Sequence, residues 1–201
     1  MITDALILKV FQEALSRIST SDIFFPENEI ADNMGAVHNK RSSKFIEIFH
    51  DALSQNLPSN FHVLSKAKKA EHFNRNEFLF DVVVVRMKTV KSCFTNSEVK
   101  IITDTLLQVE SEFALDLNQT MIDFSKLLCG LAPFKIMIMP FFQHDKTVNS
   151  WLEQNIFTDE MRRVDSSKYY MAYLPHPKNW IKDQLPHCEL YKCENREVSS
   201  I

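Results

Sequence analysis

Two acidic side chains, Glu110 and Glu112, stand inside LLQVESEF (106–113), a stretch with the alternation of a β-strand. Strand residues two apart share a face. The two carboxylates are therefore expected to point one way, and Val109, Ser111 and Phe113 the other. A third acid, Asp81, sits between Phe80 and four consecutive valines in EFLFDVVVVRM (77–87), the most apolar strand pattern of the chain. An isolated buried carboxylate is costly unless it is paired or binds a metal. Three acids on two neighbouring strands predict a shared hard cation, and Mg²⁺ takes carboxylate oxygens together with waters and substrate phosphates. The plainer alternative places Glu110 and Glu112 on a solvent-facing edge strand, paired with lysines. Asp81 weighs against it, because the valine run marks its strand as central.

The elements that must position these acids follow from periodicity. Residues 4–18 form an amphipathic helix with Ile7, Phe11, Leu15 and Ile18 on one face. The polar, turn-rich segment 19–41 reads as loop. A second helix over 42–55 is capped by Ser42 or Ser43, with Phe45, Ile48, Phe49 and Ala52 as its apolar face. NFHVLSK, EFLFDVVVVRM and KIITDTLLQVESEF read as consecutive strands, with 87–99 as a polar turn. DLNQTMIDFSKLLCG is a helix stopped by Gly130. FKIMIMPFF is a strand broken by Pro140, followed by a short helix near 147–163 and a strand at 169–174. Consecutive strands suggest an antiparallel meander, and a strand–helix–strand unit suggests a parallel crossover. Together they predict an α/β fold with a mixed central sheet and helices on both faces.

This order and these residues resemble the PD-(D/E)xK nuclease superfamily, the restriction-endonuclease-like fold. The resemblance covers roughly residues 42–142. It rests on Asp81, the Glu110-Ser111-Glu112 triplet that begins 29 positions later, the following helix with DFSKLL, and the strand FKIMIMP. It implies a core of order αβββαβ within a domain over 42–175. An N-terminal helix and loop over 1–41 precede that domain, and an irregular tail over 176–201 follows it. It also implies that Asp81, Glu110 and the main-chain carbonyl of Ser111 bind Mg²⁺ or Mn²⁺, and that the chain hydrolyses DNA phosphodiester bonds as an endonuclease of restriction or phage-defence type. Glu112 occupies the position of the family's usual lysine. There it would serve as a further metal ligand or orient the attacking water. Other members carry the lysine on the following helix, which makes Lys126 the candidate. The apolar stripe Leu117, Met121, Phe124 and Leu128 sets Lys126 almost opposite the sheet, so a surface lysine is the blander reading; Glu47 likewise lies opposite its own stripe. Cutting two strands implies a homodimer. The lysine's absence at 112 keeps a second reading open, a catalytically inactive nuclease fold that binds DNA or a protein. A plain α/β interaction protein is the third.

Composition narrows the rest. Net charge is −3, so no global basic field advertises nucleic acid. Lys40, Arg41 and Lys44, then Lys66, Lys68 and Lys69, then Arg86, Lys88 and Lys91 form local basic clusters. Each fits a binding patch or a solvated face. With two glycines there is no Gly-rich phosphate loop. The four cysteines are scattered, as in cytosolic proteins. No apolar run approaches the roughly 20 residues of a membrane span, and the start lacks a signal-peptide pattern. A soluble cytoplasmic protein is expected, with no membrane partner. His187-Cys188 with Cys193 and His176 has poor zinc spacing, and Cys129 with His144 lacks an activating context. Phe141-Phe142 and Tyr169-Tyr170 read as core or dimer contact.

Overall fold

Four consecutive buried valines need cover on both faces of their strand, and the fold supplies it. The computed structural model describes residues 2–21, 34–68, 79–95, 97–141, 145–157, 166–194 and 197–200. Its helices are α1 (Asp4–Thr20), α2 (Met34–Asn56), α3 (Leu117–Cys129) and α4 (Asp145–Asn155). Its strands are β1 (His62–Ser65), β2 (Val82–Lys91), β3 (Glu98–Ser111), β4 (Phe134–Pro140), β5 (Lys168–Leu174), β6 (Glu189–Glu194) and β7 (Glu197–Ser200). The strands make one open sheet in sequence order. β1, β2 and β3 form an antiparallel meander; β3, β4 and β5 run parallel; β6 and β7 return antiparallel. The expected α/β class, mixed sheet and two-sided helical cover are all present.

Val82 and Val84 pack with Ile7, Phe45, Phe49, Val109 and Ile138 beneath α1 and α2. Val83 and Val85 pack on the other face with Phe124, Leu127, Met137 and Leu152 beneath α3 and α4. Thr3 caps α1, its Oγ1 accepting from the Leu6 amide at 3.2 Å, and Asp116 caps α3 by accepting from the Asn118 amide at 2.9 Å. Asp4 ties α1 to the sheet: Tyr170 Oη donates to it at 2.6 Å and Lys192 Nζ at 2.8 Å. Burial of α1's partner helix is close to complete at Phe49, which meets Phe11 edge-on with ring centroids 5.0 Å apart.

Several boundaries differ from the sequence reading. Residues 34–41 are helical, not loop; residues 22–33 lie outside the described residues. Ser42 does not cap α2, because its hydroxyl bonds back to the His38 carbonyl at 2.9 Å inside the helix. Strand pairing continues through Lys91 and resumes at Glu98, so 87–91 and 98–99 of the expected turn 87–99 are strand. The tail is not wholly irregular: β6 pairs with β5 and β7 with β6, a pattern that the surrounding prolines and short length conceal. The fourth helix ends at Asn155, with 158–165 outside the described residues. Gly130 ends α3 at φ −76, so it is not there for a left-handed turn. A Cβ at this position would strike the buried Gln108 amide.

Phe49→Ala should lower unfolding free energy by about 3–5 kcal/mol, the range for a fully buried aromatic. Urea denaturation measures it, and a loss under about 1 kcal/mol would contradict the two-helix core described here.

Candidate functional site

β2 and β3 pair with Val82 opposite Val109. One step further, Asp81 falls opposite Glu110. Asp81 stands just before β2, and Glu110, which pairs with Met137 of β4 and so shares its face beneath α3, lies on the α3 side of the sheet. The two acids are 3% and 1% exposed, among the most deeply buried charged groups of the fold.

Asp81 is satisfied from both sides. Its Oδ2 accepts from the Ser111 amide at 3.0 Å and from the Ser111 hydroxyl at 2.5 Å. Its Oδ1 pairs with the Lys66 ammonium, and the Lys66 amide donates to the Asp81 carbonyl at 3.2 Å. Glu110 is not satisfied. Its Oε1 is buried without a hydrogen-bond partner. The nearest cation is Lys126 Nζ, at 3.7 Å, an electrostatic contact beyond hydrogen-bond reach. Lys126 also bonds Asp123 Oδ1 at 2.5 Å. Burial pushes the Glu110 carboxyl up to about 8, helped by the Asp81 charge and opposed by Lys126. At Lys126 burial works against the charge. The Asp123 hydrogen bond and the charges of Glu110 and Asp123 outweigh it, so its pKa is raised and it stays an ammonium.

Lys126 reaches the site because α3 is rotated from the orientation its apolar pattern predicts. The buried face runs through Thr120, Phe124 and Leu127, while Leu117 is exposed. At about 100° per residue this turns the helix by roughly 60° and brings Lys126 from the back to the flank. A four-carbon stem spans what remains.

Glu112 does not join the pair. β3 ends at Ser111, and beyond it the Glu112 side chain curls onto its own loop, accepting from the Ala114 amide at 2.6 Å. It lines a cavity on the α2 side instead. The alternation that aligned Glu112 with Glu110 holds only while the strand continues. Among the described residues no three of His, Cys, Asp or Glu come together as a metal group, so the expected convergence of three acids is replaced by a pair with two lysines and Ser111. Lys66, counted above only as part of a basic cluster, is the site residue that spacing did not single out. Its signal lies in three dimensions, since it leaves β1 beside the start of β2.

Several of the other candidates have ordinary partners. Lys44 pairs with Glu47 at 2.7 Å, Lys68 with Asp51 at 2.5 Å, and Arg86 with Asp104 at 3.5 Å. His187 bonds Glu189 at 3.2 Å and stacks on Phe141, while burial pushes the Cys188 and Cys193 thiols up to about 12. Cys129 is exposed; Lys69, Phe142 and His144 lie outside the described residues. Tyr169 and Tyr170 are buried on opposite faces of the sheet. Among the described residues no helix is long and apolar enough to cross a membrane. Comparison with family models, curated proteins and solved structures gives no match.

The folded, metal-free protein keeps the Glu110 proton to about pH 8, whereas the unfolded chain releases it near 4.5. Between those values the native state binds more protons, so stability falls as pH rises through the window. Glu110→Gln mimics the protonated acid and should remove that loss. In chelator it should match the parent near pH 4 and exceed it by on the order of 3 kcal/mol at pH 7. A pH-independent difference in urea unfolding would contradict the assignment.

Proposed function

We propose that the chain is a metal-dependent endonuclease that hydrolyses DNA phosphodiester bonds, of the PD-(D/E)xK kind. One observation carries the reading: the buried Oε1 of Glu110 has no hydrogen-bond partner, beside Asp81 and with Lys126 3.7 Å away. The αβββαβ element order and the closeness of the Asp81 charge to Glu110 support it.

The donors fit a hard divalent cation. Asp81, Glu110 and the Ser111 carbonyl are oxygen ligands of the type Mg²⁺ and Mn²⁺ take, and a cation would complete the orphaned Glu110 oxygen. Bound there, such an ion supplies Lewis-acid polarisation of the scissile phosphate and an acidified water. The chain's own residues do the rest. Glu110 must give up its proton when the site is loaded, and the adjacent Lys126 charge favours that. Lys126, held cationic by Asp123, is placed to stabilise charge growing on the phosphate, the task left vacant by Glu112. Ser111 fixes the Asp81 carboxylate, and Lys66 offers a second cation at the more exposed rim. Cutting both strands of a duplex would call for two copies of the chain.

Plasmid and single-stranded DNA incubated with Mg²⁺ or Mn²⁺ test the reading. Glu110→Gln should reduce cleavage to background, and Lys126→Ala should slow it by roughly 10²-fold or more. Cleavage by Glu110→Gln at the parent rate would overturn it. So would a parent that cuts neither DNA nor RNA and shows no Mn²⁺ binding by calorimetry.

A further inference from the structure

A cavity of about 370 Å³ opens on the α2 side of the sheet, where β3 ends. Lys66 and Ser111 line it, and both also hold Asp81, so its wall is continuous with the carboxylate pair. His38 of α2 and His176 meet edge to face there, ring centroids 5.0 Å apart. Arg41 holds these two segments together, donating to the Pro177 carbonyl at 2.8 Å. His176 Nδ1 accepts from the Lys178 amide at 3.1 Å, so the neutral ring carries its proton on Nε2 and presents a donor. His38 Nε2 is buried without a partner. Asn39 and Ser43, four apart and therefore on one face of α2, add an amide and a hydroxyl to the lining. His38, His176, Asn39 and Ser43 have no part in the hydrolytic reading.

We propose that this cavity takes a single unstacked nucleotide of the substrate strand, the one adjoining the scissile phosphate. The assignment of that strand rests on the nuclease reading. Three features argue for the ligand. The volume is near the low end of the roughly 300–1,000 Å³ of small-ligand pockets, which suits one nucleotide and not a length of duplex. Lys66 is the one Lys or Arg in the described lining and stands at the boundary with Asp81, where a strand crossing from one site to the other must bring its phosphate. The imidazole rings offer a stacking surface, and Asn39, Ser43 and Glu112 offer donors and acceptors to a base edge, the pattern by which unpaired bases are held.

The test uses the chain carrying Glu110→Gln, titrated by calorimetry with a deoxynucleoside 5′-monophosphate, the corresponding nucleoside and inorganic phosphate. The monophosphate should bind, and the nucleoside and phosphate should each bind at least about tenfold more weakly. Ser43→Trp, which fills the cavity from an exposed position, and His176→Ala should each weaken the monophosphate by at least about tenfold. Thermal unfolding of Ser43→Trp should match that of the parent. No monophosphate binding, binding indifferent to Ser43→Trp, or phosphate binding as tightly as the nucleotide would overturn the proposal. Parent cleavage of DNA without nucleotide binding overturns the cavity assignment alone. Ser43-dependent nucleotide binding by a chain that cuts no nucleic acid supports the cavity and overturns the nuclease reading.

Discussion

Two carboxylates buried side by side cannot both stay charged in a low-dielectric interior without compensation. That constraint organises the chemistry-bearing end of the sheet. Asp81 is compensated in full, by Lys66 and by two donors from Ser111. Glu110 is compensated in part, by an ammonium that stops 3.7 Å short of it. The Glu110 carboxyl is accordingly pushed up to about 8, by burial first and by the Asp81 charge second. The partial compensation leaves one oxygen of the pair available to whatever cation or donor enters the site.

The rest of the fold keeps that arrangement rigid. The pair lies where the chain enters β2 and leaves β3, beside Val82, Val84 and Val109 on one face and Val83, Val85 and Met137 on the other. A carboxylate at such a place cannot move away from its neighbour without breaking the sheet register. α3 is anchored by Phe124 and Leu127, and its flank delivers Lys126 and Asp123 together. On the opposite face α2 closes over the end of β3 and, with the segment around His176, encloses the cavity that shares Lys66 and Ser111 with the acids. Both sites meet at one short stretch of main chain, residues 110–112, where Glu110 turns to the α3 side and Ser111 and Glu112 turn to the cavity.

Much of this was legible in the residues themselves. The valine run announced a strand covered on both sides, and an acid placed against it announced a buried polar site. Meander and crossover followed from the order of patterns. What escaped was specific. The Glu110-x-Glu112 spacing promised two acids on one face, yet the strand stops between them and Glu112 bonds the Ala114 amide. The apolar stripe of α3 turned Lys126 outward, yet Leu117 is exposed and Thr120 is buried, so the helix sits rotated. A serine pair suggested a helix start, yet α2 begins at Met34 and Ser42 satisfies its hydroxyl within the helix.

By itself the sequence determined the periodicities, and through them the α/β class, the central position of the strand after Asp81, and the presence of acids inside an apolar segment. These depend on hydrophobic pattern over neighbouring residues, which is local information. Only the tertiary structure decided which acids face each other, that Lys66 and Lys126 close on them, and that Glu112 belongs to the other side. Those outcomes turn on where a strand ends, how a helix is rotated, and which loop passes a sheet edge. They are set by the packing of segments far apart in the chain, and no spacing within one segment encodes them.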